Sequence, residues 1–254
     1  MKMIFKKNIH ILFLLILTCN SFAQKTVTVA VAANAQFAMK EIEKNFEKET
    51  GINLELIINS SGKITAQVKE GAPFDIFLSA DMQFPEALYK EGFTVTKPEV
   101  YAYGSLVLWS MSKLEKSNIK AILISDKFDK VAIANPKLAP YGEAAVEVLN
   151  YYKIFKTIEP RIVNGESISQ VNQYVISRAA DLGFTAKSVV LSPEMTNKGT
   201  WIELDAKSYS PIAQGIVLLK KSKEQNFKEA ELFYKYLFSE KAKSVFKKYG
   251  YSVS

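Results

Sequence analysis

The chain of 254 residues contains only one cysteine and one histidine, and both lie near its N-terminus, at Cys19 and His10. Residues 24–254 contain neither type. This excludes a Ser-His-Asp triad, a cysteine nucleophile and an ordinary zinc site from that part of the chain. Disulfides are excluded as well, so a hydrophobic core must stabilise the fold. Carboxylate chemistry remains possible.

The first 23 residues have the pattern of a secretory signal. Three lysines precede an apolar run at residues 9–17, and Ser-Phe-Ala at 21–23 is a small-x-small cleavage site. The apolar run is too short to span a membrane. We therefore expect cleavage after this site, export to the periplasm and a mature chain that begins at Gln24. Lipid attachment at Cys19 is the competing interpretation, although the two residues before it make a poor lipid-attachment box.

The balance of apolar and charged residues is that of a folded protein. Apolar residues make up 48% and charged residues 23% of the chain, which argues against disorder. The formal net charge is +7; loss of the three leader lysines leaves 30 of the 33 basic residues against 26 acidic ones, a net charge of +4. Lysines and glutamates are interleaved as on solvated helix faces. No arginine–aromatic patch is present, so we expect no nucleic-acid partner. We also expect the mature protein to be a monomer.

Strand-like apolar runs alternate with helical patterns along the chain, which predicts an α/β fold. Two apolar strands, at residues 105–109 and 211–219, are placed to cross between two such units. Two crossings imply a two-strand hinge between two domains, each a mixed sheet flanked by helices. The predicted division is a signal peptide at 1–23, domain I at 24–104 plus 208–254, and an inserted domain II at 105–207.

The most informative stretch runs from residue 59 to residue 81, where a polar turn lies between a strand and a helix. Ser60-Ser61-Gly62 brings two hydroxyls together with the free amides of a helix N-terminus, which is the arrangement of an anion site. A phosphate-binding loop is excluded, because Ile57 and Ile64 stand where its glycine and its hydroxyl residue belong. Simple capping of the helix by a serine is the alternative.

Three further helix starts occupy comparable positions. Asn34 follows the first strand and is predicted to be an N-cap, while Tyr141 and Ile168 begin helices of the second domain. Loops that follow the carboxyl ends of parallel strands share one edge of a sheet. If the two domains face each other, these helix starts and that of Ser61 surround one cleft. Shared binding of an anion is then favoured over independent caps.

Four segments together resemble the periplasmic molybdate-binding proteins of molybdate ABC transporters: VAVAANAQFAMKEIEKNFEKETG, SSGKITAQVKEGAPFDIFLSAD, ANPKLAPYG and AKSVFKKYGY. The resemblance covers essentially the whole mature chain, and GAPFDIFLSAD with the upstream Ser-Ser is its most specific part. It implies a type 2 periplasmic-binding-protein fold that closes over one tetrahedral dianion, molybdate or tungstate, and delivers it to a membrane permease. It implies no enzyme activity, no catalytic residue, no cofactor and no metal cation.

The resemblance also assigns ligand-binding positions. It implies that molybdate contacts Asn34, Ser61, Tyr141 and the backbone amide of Ile168. A fifth position departs from the better-known pattern, because Ala186 stands where a tyrosine hydroxyl is expected. We expect the Tyr141 hydroxyl to supply that contact in addition to its amide.

Several alternatives remain open. Phosphate is disfavoured, because it keeps a proton at neutral pH and gains from an acidic acceptor that these four positions lack. Sulfate differs from molybdate mainly in radius and stays open. An enzyme that uses Glu143 with Glu166 is the competing class, although glutamates at helix starts also stabilise the helix. A sensing module without a transporter would need the same cleft.

Two charged residues near these helix starts are not expected to contact the ligand. Asp81 is expected to cap the following helix, and the Lys63 ammonium is expected in solvent.

Overall fold

A computed structural model describes residues 26–115, 118–224 and 226–253. The predicted signal peptide, with Cys19 and His10, lies outside the described residues. Within the described ranges, no helix combines the length and the apolar character needed to cross a membrane. The chain forms two five-stranded mixed sheets with helices packed on their faces, which confirms the predicted fold class.

Ten strands build the two sheets. In chain order they are β1 (Thr26–Ala32), β2 (Asn53–Asn59), β3 (Ile76–Leu78), β4 (Glu99–Gly104), β5 (Leu106–Ser110), β6 (Val131–Ala134), β7 (Ile162–Gly165), β8 (Leu182–Ala186), β9 (Thr200–Glu203) and β10 (Ile212–Leu218). The first sheet has the order β2-β1-β3-β10-β4 and the second the order β7-β6-β8-β5-β9. In each sheet three neighbouring strands run parallel and the other two complete it through antiparallel pairs.

The helices connect and cover these strands. They are α1 (Gln36–Thr50), α2 (Ser61–Lys69), α3 (Gln83–Lys90), α4 (Ile119–Ile124), α5 (Pro140–Tyr151), α6 (Phe155–Ile158), α7 (Ile168–Ile176), α8 (Lys187–Val190), α9 (Phe227–Tyr236) and α10 (Glu240–Lys248). Gly51 ends α1 in the left-handed conformation at φ 71°, as its position after the helical pattern predicts.

Four of the helices start close to the carboxyl end of a parallel strand. They are α1, α2, α5 and α7, which follow β1, β2, β6 and β7. The four residues predicted to bind the ligand lie at or next to these helix starts.

The chain passes from the first sheet to the second at Ser105, between β4 and β5. It returns between β9 and β10, so the first sheet takes its strands from residues 26–104 and 212–218 and the second from 106–203. The boundaries of the two domains stay a prediction. The sequence analysis does not identify edge strands β4 and β9, which are short and only partly buried.

The C-terminal helices pack on the first sheet through aromatic side chains. Phe46 of α1 meets Phe233 of α9 edge to face, with ring centroids 4.9 Å apart. Phe246 of α10 contacts Tyr251 in the same manner, with centroids 5.6 Å apart. This packing holds Tyr251, three residues from the end of the chain, in the core beside the first strand.

Candidate functional site

A small closed cavity lies where the two sheets face each other. Its volume is about 10 Å³, measured as the space open to the centre of a water molecule, which is room for about one water in this conformation. The residues that line it are Ala32, Ala33, Asn34, Ser60, Ser61, Ala80, Ala139, Pro140, Tyr141 and Ile168. All four residues predicted to bind the ligand therefore line one cavity, although their sequence positions span more than half of the chain. Their role as ligand contacts stays a prediction.

Three helix N-termini point at this cavity. Ser61 is the first residue of α2, Tyr141 the second residue of α5 and Ile168 the first residue of α7. Amides in the first turn of a helix have no acceptor within the helix. In the part of the chain that the structure describes, these three amides also have no hydrogen-bond acceptor elsewhere. Together with the helix dipoles they make the cavity electropositive without a charged side chain.

Two serine hydroxyls lie at the start of α2. The Ser61 Oγ accepts a hydrogen bond from the Ala80 amide at 3.0 Å, which leaves its own proton free to donate. Ser60 occupies the N-cap position, and its side chain makes no capping hydrogen bond. The Ser60 Oγ is buried and has no partner among the described residues. The serine doublet was visible in the sequence as part of an anion site, but only Ser61 was assigned there as a ligand-binding residue.

Asn34 does not cap a helix, so that prediction is wrong. A 3-10 turn, Ala33–Ala35, precedes α1 and directs the Asn34 side chain into the core instead. Its Nδ2 donates to Gln214 Oε1 at 2.7 Å and to the Tyr251 hydroxyl at 3.0 Å. Both amide hydrogens are therefore engaged within the protein. The Asn34 carbonyl accepts from the Ser188 hydroxyl of the second half at 2.7 Å, so this network also joins the two sheets.

Tyr141 extends from α5 toward the first sheet. Its hydroxyl oxygen accepts a hydrogen bond from Gln214 Nε2 at 3.4 Å, and it lies against Gly104, where a side chain would overlap it. Burial, with nearby Tyr251 and Tyr101, raises the pKa of the Tyr141 phenol well above its ordinary value. The phenol is thus a neutral O–H donor. Sequence patterns could not indicate Gln214 or Tyr251 as its neighbours, because both lie far away along the chain.

Ala186, which stands where a tyrosine hydroxyl was expected, does not contribute to the cavity. Ala186 is buried at the end of β8 and is not one of the residues that line the cavity. The hydroxyl of its neighbour Thr185 donates to Asn172 Oδ1 at 2.6 Å and is satisfied by that contact.

Two contacts hold the halves together beside the cavity. The Gly62 amide of α2 donates to the Leu138 carbonyl of the second half at 2.9 Å. Lys63 forms an ion pair with Glu166, which precedes α7, with 2.5 Å between Nζ and Oε2. The Lys63 ammonium is at the surface, as predicted, but it is not free: the facing half, which local sequence patterns do not reveal, brings a carboxylate to it.

A wider cleft of about 560 Å³ adjoins the closed cavity and contains Asp81 and Glu143. Asp81 Oδ1 accepts from the Phe84 amide of α3 at 3.3 Å, as a capping residue does, and Asp81 does not line the closed cavity. Burial raises the pKa of Asp81 to about 6, against the effect of its hydrogen bonds from Phe84 and Ser79, and the Glu143 and Glu86 carboxylates raise it further. Of the two carboxylates of the competing enzyme interpretation, Glu143 lines this cleft, whereas Glu166 does not line it and is paired with Lys63. Across the described ranges no group of three or more Asp, Glu, His or Cys residues could hold a metal ion.

Comparisons with known proteins agree with this geometry. Residues 27–252 match the family model described as bacterial extracellular solute-binding protein. The molybdate-binding protein ModA of Azotobacter vinelandii is 39% identical over 239 residues, which are 94% of each chain. ModA of Rhodobacter capsulatus is 38% identical over 226 residues, covering 89% of this chain and 87% of that protein.

A solved structure gives the same result at the level of the fold. The Azotobacter vinelandii periplasmic molybdate-binding protein superposes with a TM-score of 0.85 and 32% identity, covering 90% of this chain and 99% of that one. The chain therefore belongs to the ModA family of bacterial extracellular solute-binding proteins.

Proposed function

We propose that the protein captures molybdate, or tungstate, in the closed cavity and delivers it to the membrane permease of an ABC transporter. The observation that carries this proposal is the composition of the cavity wall. Its residues are neutral, and three helix N-termini and the Ser61 hydroxyl supply donors to it. A buried site with donors and no charged side chain suits a small, fully ionised anion and offers nothing to a cation.

The proposed contacts divide between backbone and side chains. Ser61 contributes its hydroxyl and its amide, and Ile168 contributes its amide. Tyr141 contributes its amide together with its hydroxyl proton, for which no acceptor is present among the described residues. Asn34 contributes through its backbone, because its side-chain hydrogens are engaged by Gln214 and Tyr251. Molybdenum enters only as the oxyanion, and neither a metal cation nor a cofactor is required.

Charge and protonation favour molybdate over phosphate. Molybdate is a dianion without a proton at neutral pH, so every oxygen can accept a hydrogen bond. Hydrogen phosphate carries a proton that needs an acceptor, and none of the cavity residues is acidic. Sulfate has the same charge as molybdate and a smaller radius. The names of the relatives, which are molybdate-binding proteins, are the reason to prefer molybdate over sulfate.

The remaining parts of the proposal concern location and partners. The family is extracellular or periplasmic, and we propose export by the signal at 1–23 without a lipid anchor. We further propose that the mature protein is a monomer and catalyses no reaction. We also propose that domain I, residues 24–104 plus 208–254, and domain II, residues 105–207, move relative to each other about the two connecting strands.

Calorimetric titration of the mature protein, residues 24–254, with molybdate, tungstate, sulfate and phosphate tests the proposal. We expect one site per chain for molybdate and tungstate, and a Kd for sulfate at least about 100-fold higher, a difference of about 2.7 kcal/mol. Equal or tighter binding of sulfate or phosphate would contradict the molybdate assignment. A membrane reconstitution with the permease and ATPase, in which uptake depends on this protein, separates transport from sensing.

A further inference from the structure

We infer that the Ser60 hydroxyl is a further donor to the bound oxyanion, in addition to the contacts of Asn34, Ser61, Tyr141 and Ile168. This inference rests on the proposed function and names one more group of the same site. It follows from the burial of Ser60, from the lack of any protein partner for its hydroxyl and from its place in the cavity wall.

Ser60 is only 2% exposed, and its Oγ has no hydrogen-bond partner among the described residues. A buried hydroxyl without a partner costs free energy, so native proteins rarely retain one without a reason. The backbone of Ser60 is satisfied, since its amide donates to Asn59 Oδ1 at 2.9 Å and its carbonyl accepts from Ile64 at 3.0 Å. The hydroxyl alone is unmatched, and Ser60 lines the cavity.

The local geometry explains why this serine does not act as a helix cap. Its backbone has the extended conformation of an N-cap residue, with φ −73° and ψ 151°, and a serine there usually accepts from the second or third amide of the helix. The second amide of α2 belongs to Gly62 and donates across the cleft to the Leu138 carbonyl. The contact that joins the two halves therefore takes one of these two amides away from Ser60. The Ser60 hydroxyl bonds neither of them, so it is free to bind a ligand.

Ser60 also fills a gap in the donor set. Ala186 has no hydroxyl and does not line the cavity, so the second half of the protein contributes only Tyr141 and Ile168. A hydroxyl at Ser60 adds a donor from the first half, next to that of Ser61. A hydrogen bond to a dianion is charge-assisted and stronger than one between neutral groups.

The chain offers a matched control in Ser192. Its side chain is 0% exposed, and its Oγ is likewise buried and without a partner in the described part of the chain. Ser192 does not line the cavity. Removal of either hydroxyl has the same chemistry, and the two positions differ in whether a ligand can reach them.

The experiment is a calorimetric titration of sodium molybdate into the wild type, S60A, S60C and S192A, with the thermal midpoint of each ligand-free protein. We expect S60A to weaken molybdate binding roughly 10-fold to 100-fold, the effect of losing one hydrogen bond to a charged group. S60C keeps the side-chain shape but has a weak S–H donor, so it should also bind more weakly than the wild type. S192A should bind like the wild type. The midpoint of ligand-free S60A should stay unchanged or rise, because an unmatched buried hydroxyl is removed.

Wild-type affinity in S60A would overturn the inference. So would a loss of affinity in S60A that S192A reproduces, since that would be a general effect of core substitution. The same titrations test the proposed function separately from the Ser60 inference. If the wild type binds sulfate or phosphate in place of molybdate, the function is wrong, and the same variants titrated with that anion still test Ser60. If the wild type binds none of the four anions, both proposals fall.

Discussion

Lys63 and Glu166 form an ion pair that joins α2 of the first half to the residues before α7 of the second, with 2.5 Å between Nζ and Oε2. The pair lies beside Ser61 and Ile168, so it can form only when the two halves are close. It is also exposed, with 34% of the Lys63 side chain and 65% of the Glu166 side chain accessible. An exposed pair contributes little, because solvent screens it and two flexible side chains must be ordered.

We therefore predict a small effect of Lys63→Ala on molybdate affinity, about 0.2–1 kcal/mol. The effect should decrease at high salt. Calorimetry of Lys63→Ala, Glu166→Ala and the double variant measures the coupling. Lys69→Ala is the control, since Lys69 pairs with Glu91 within the first half at 2.6 Å and should not affect closure. A Lys63 effect larger than that of Ser61→Ala would contradict a site built from neutral donors.

Ser61→Ala should weaken molybdate binding by about 1–3 kcal/mol, since a buried charged acceptor loses a donor. The substitution also leaves the Ala80 amide without its acceptor, so the ligand-free protein should melt at a lower temperature. Titration at several temperatures below the midpoint separates the two effects. Unaltered affinity together with a lower midpoint would make Ser61 Oγ a structural group only.

Tyr141→Phe removes one hydroxyl and keeps the ring and the amide. We expect molybdate affinity to fall by about 1–3 kcal/mol if the phenol donates to the anion. The midpoint of the ligand-free protein should hardly change, because the Gln214 contact that is lost is long, at 3.4 Å. Wild-type affinity in this variant would restrict Tyr141 to its amide contact.

Asp81→Asn should stabilise the protein at neutral pH. Burial raises the pKa of Asp81 from 3.8 to about 6, so the folded state binds a proton more tightly than the unfolded chain. The stability that this provides is complete below about pH 4 and is lost as the pH rises through 6. Asn keeps the Oδ1 that accepts from Phe84 and Ser79 but cannot ionise.

The variant should therefore gain about 1–3 kcal/mol over the wild type at pH 7 and little at pH 4. Chemical denaturation at a series of pH values measures the difference. Glu86→Gln is the comparison, because it removes a neighbouring carboxylate and should retain most of the pH dependence. A constant difference between Asp81→Asn and the wild type from pH 4 to pH 7 would contradict the raised pKa.

The exported protein should begin at Gln24, because Ser-Phe-Ala at 21–23 is the cleavage site. Intact-mass measurement of protein recovered from the periplasm decides the point. A diacylglyceryl adduct on Cys19 would establish the lipoprotein alternative instead.

Much of the site could be predicted from the sequence because its parts are local. The start of a helix is determined by a few adjacent residues, so Ser61, Tyr141 and Ile168 were identifiable where apolar runs end and helical patterns begin. The lack of histidine and cysteine beyond residue 23 is a property of composition alone and excludes whole classes of chemistry. The alternation of strands and helices determined the α/β class in the same way.

The tertiary structure decided what depends on contacts between distant residues. Asn34 looked like a helix cap, but Gln214 and Tyr251 engage its side chain from the far end of the chain. Lys63 was predicted to lie at the surface, but its partner Glu166 comes from the second half and could not be predicted. Ser60 occupies a capping position, but its hydroxyl bonds no helix amide, and the Gly62 amide donates to Leu138 across the cleft. Local sequence determines which groups a helix start offers, and only the packing of two distant halves determines which of those groups remain free for a ligand.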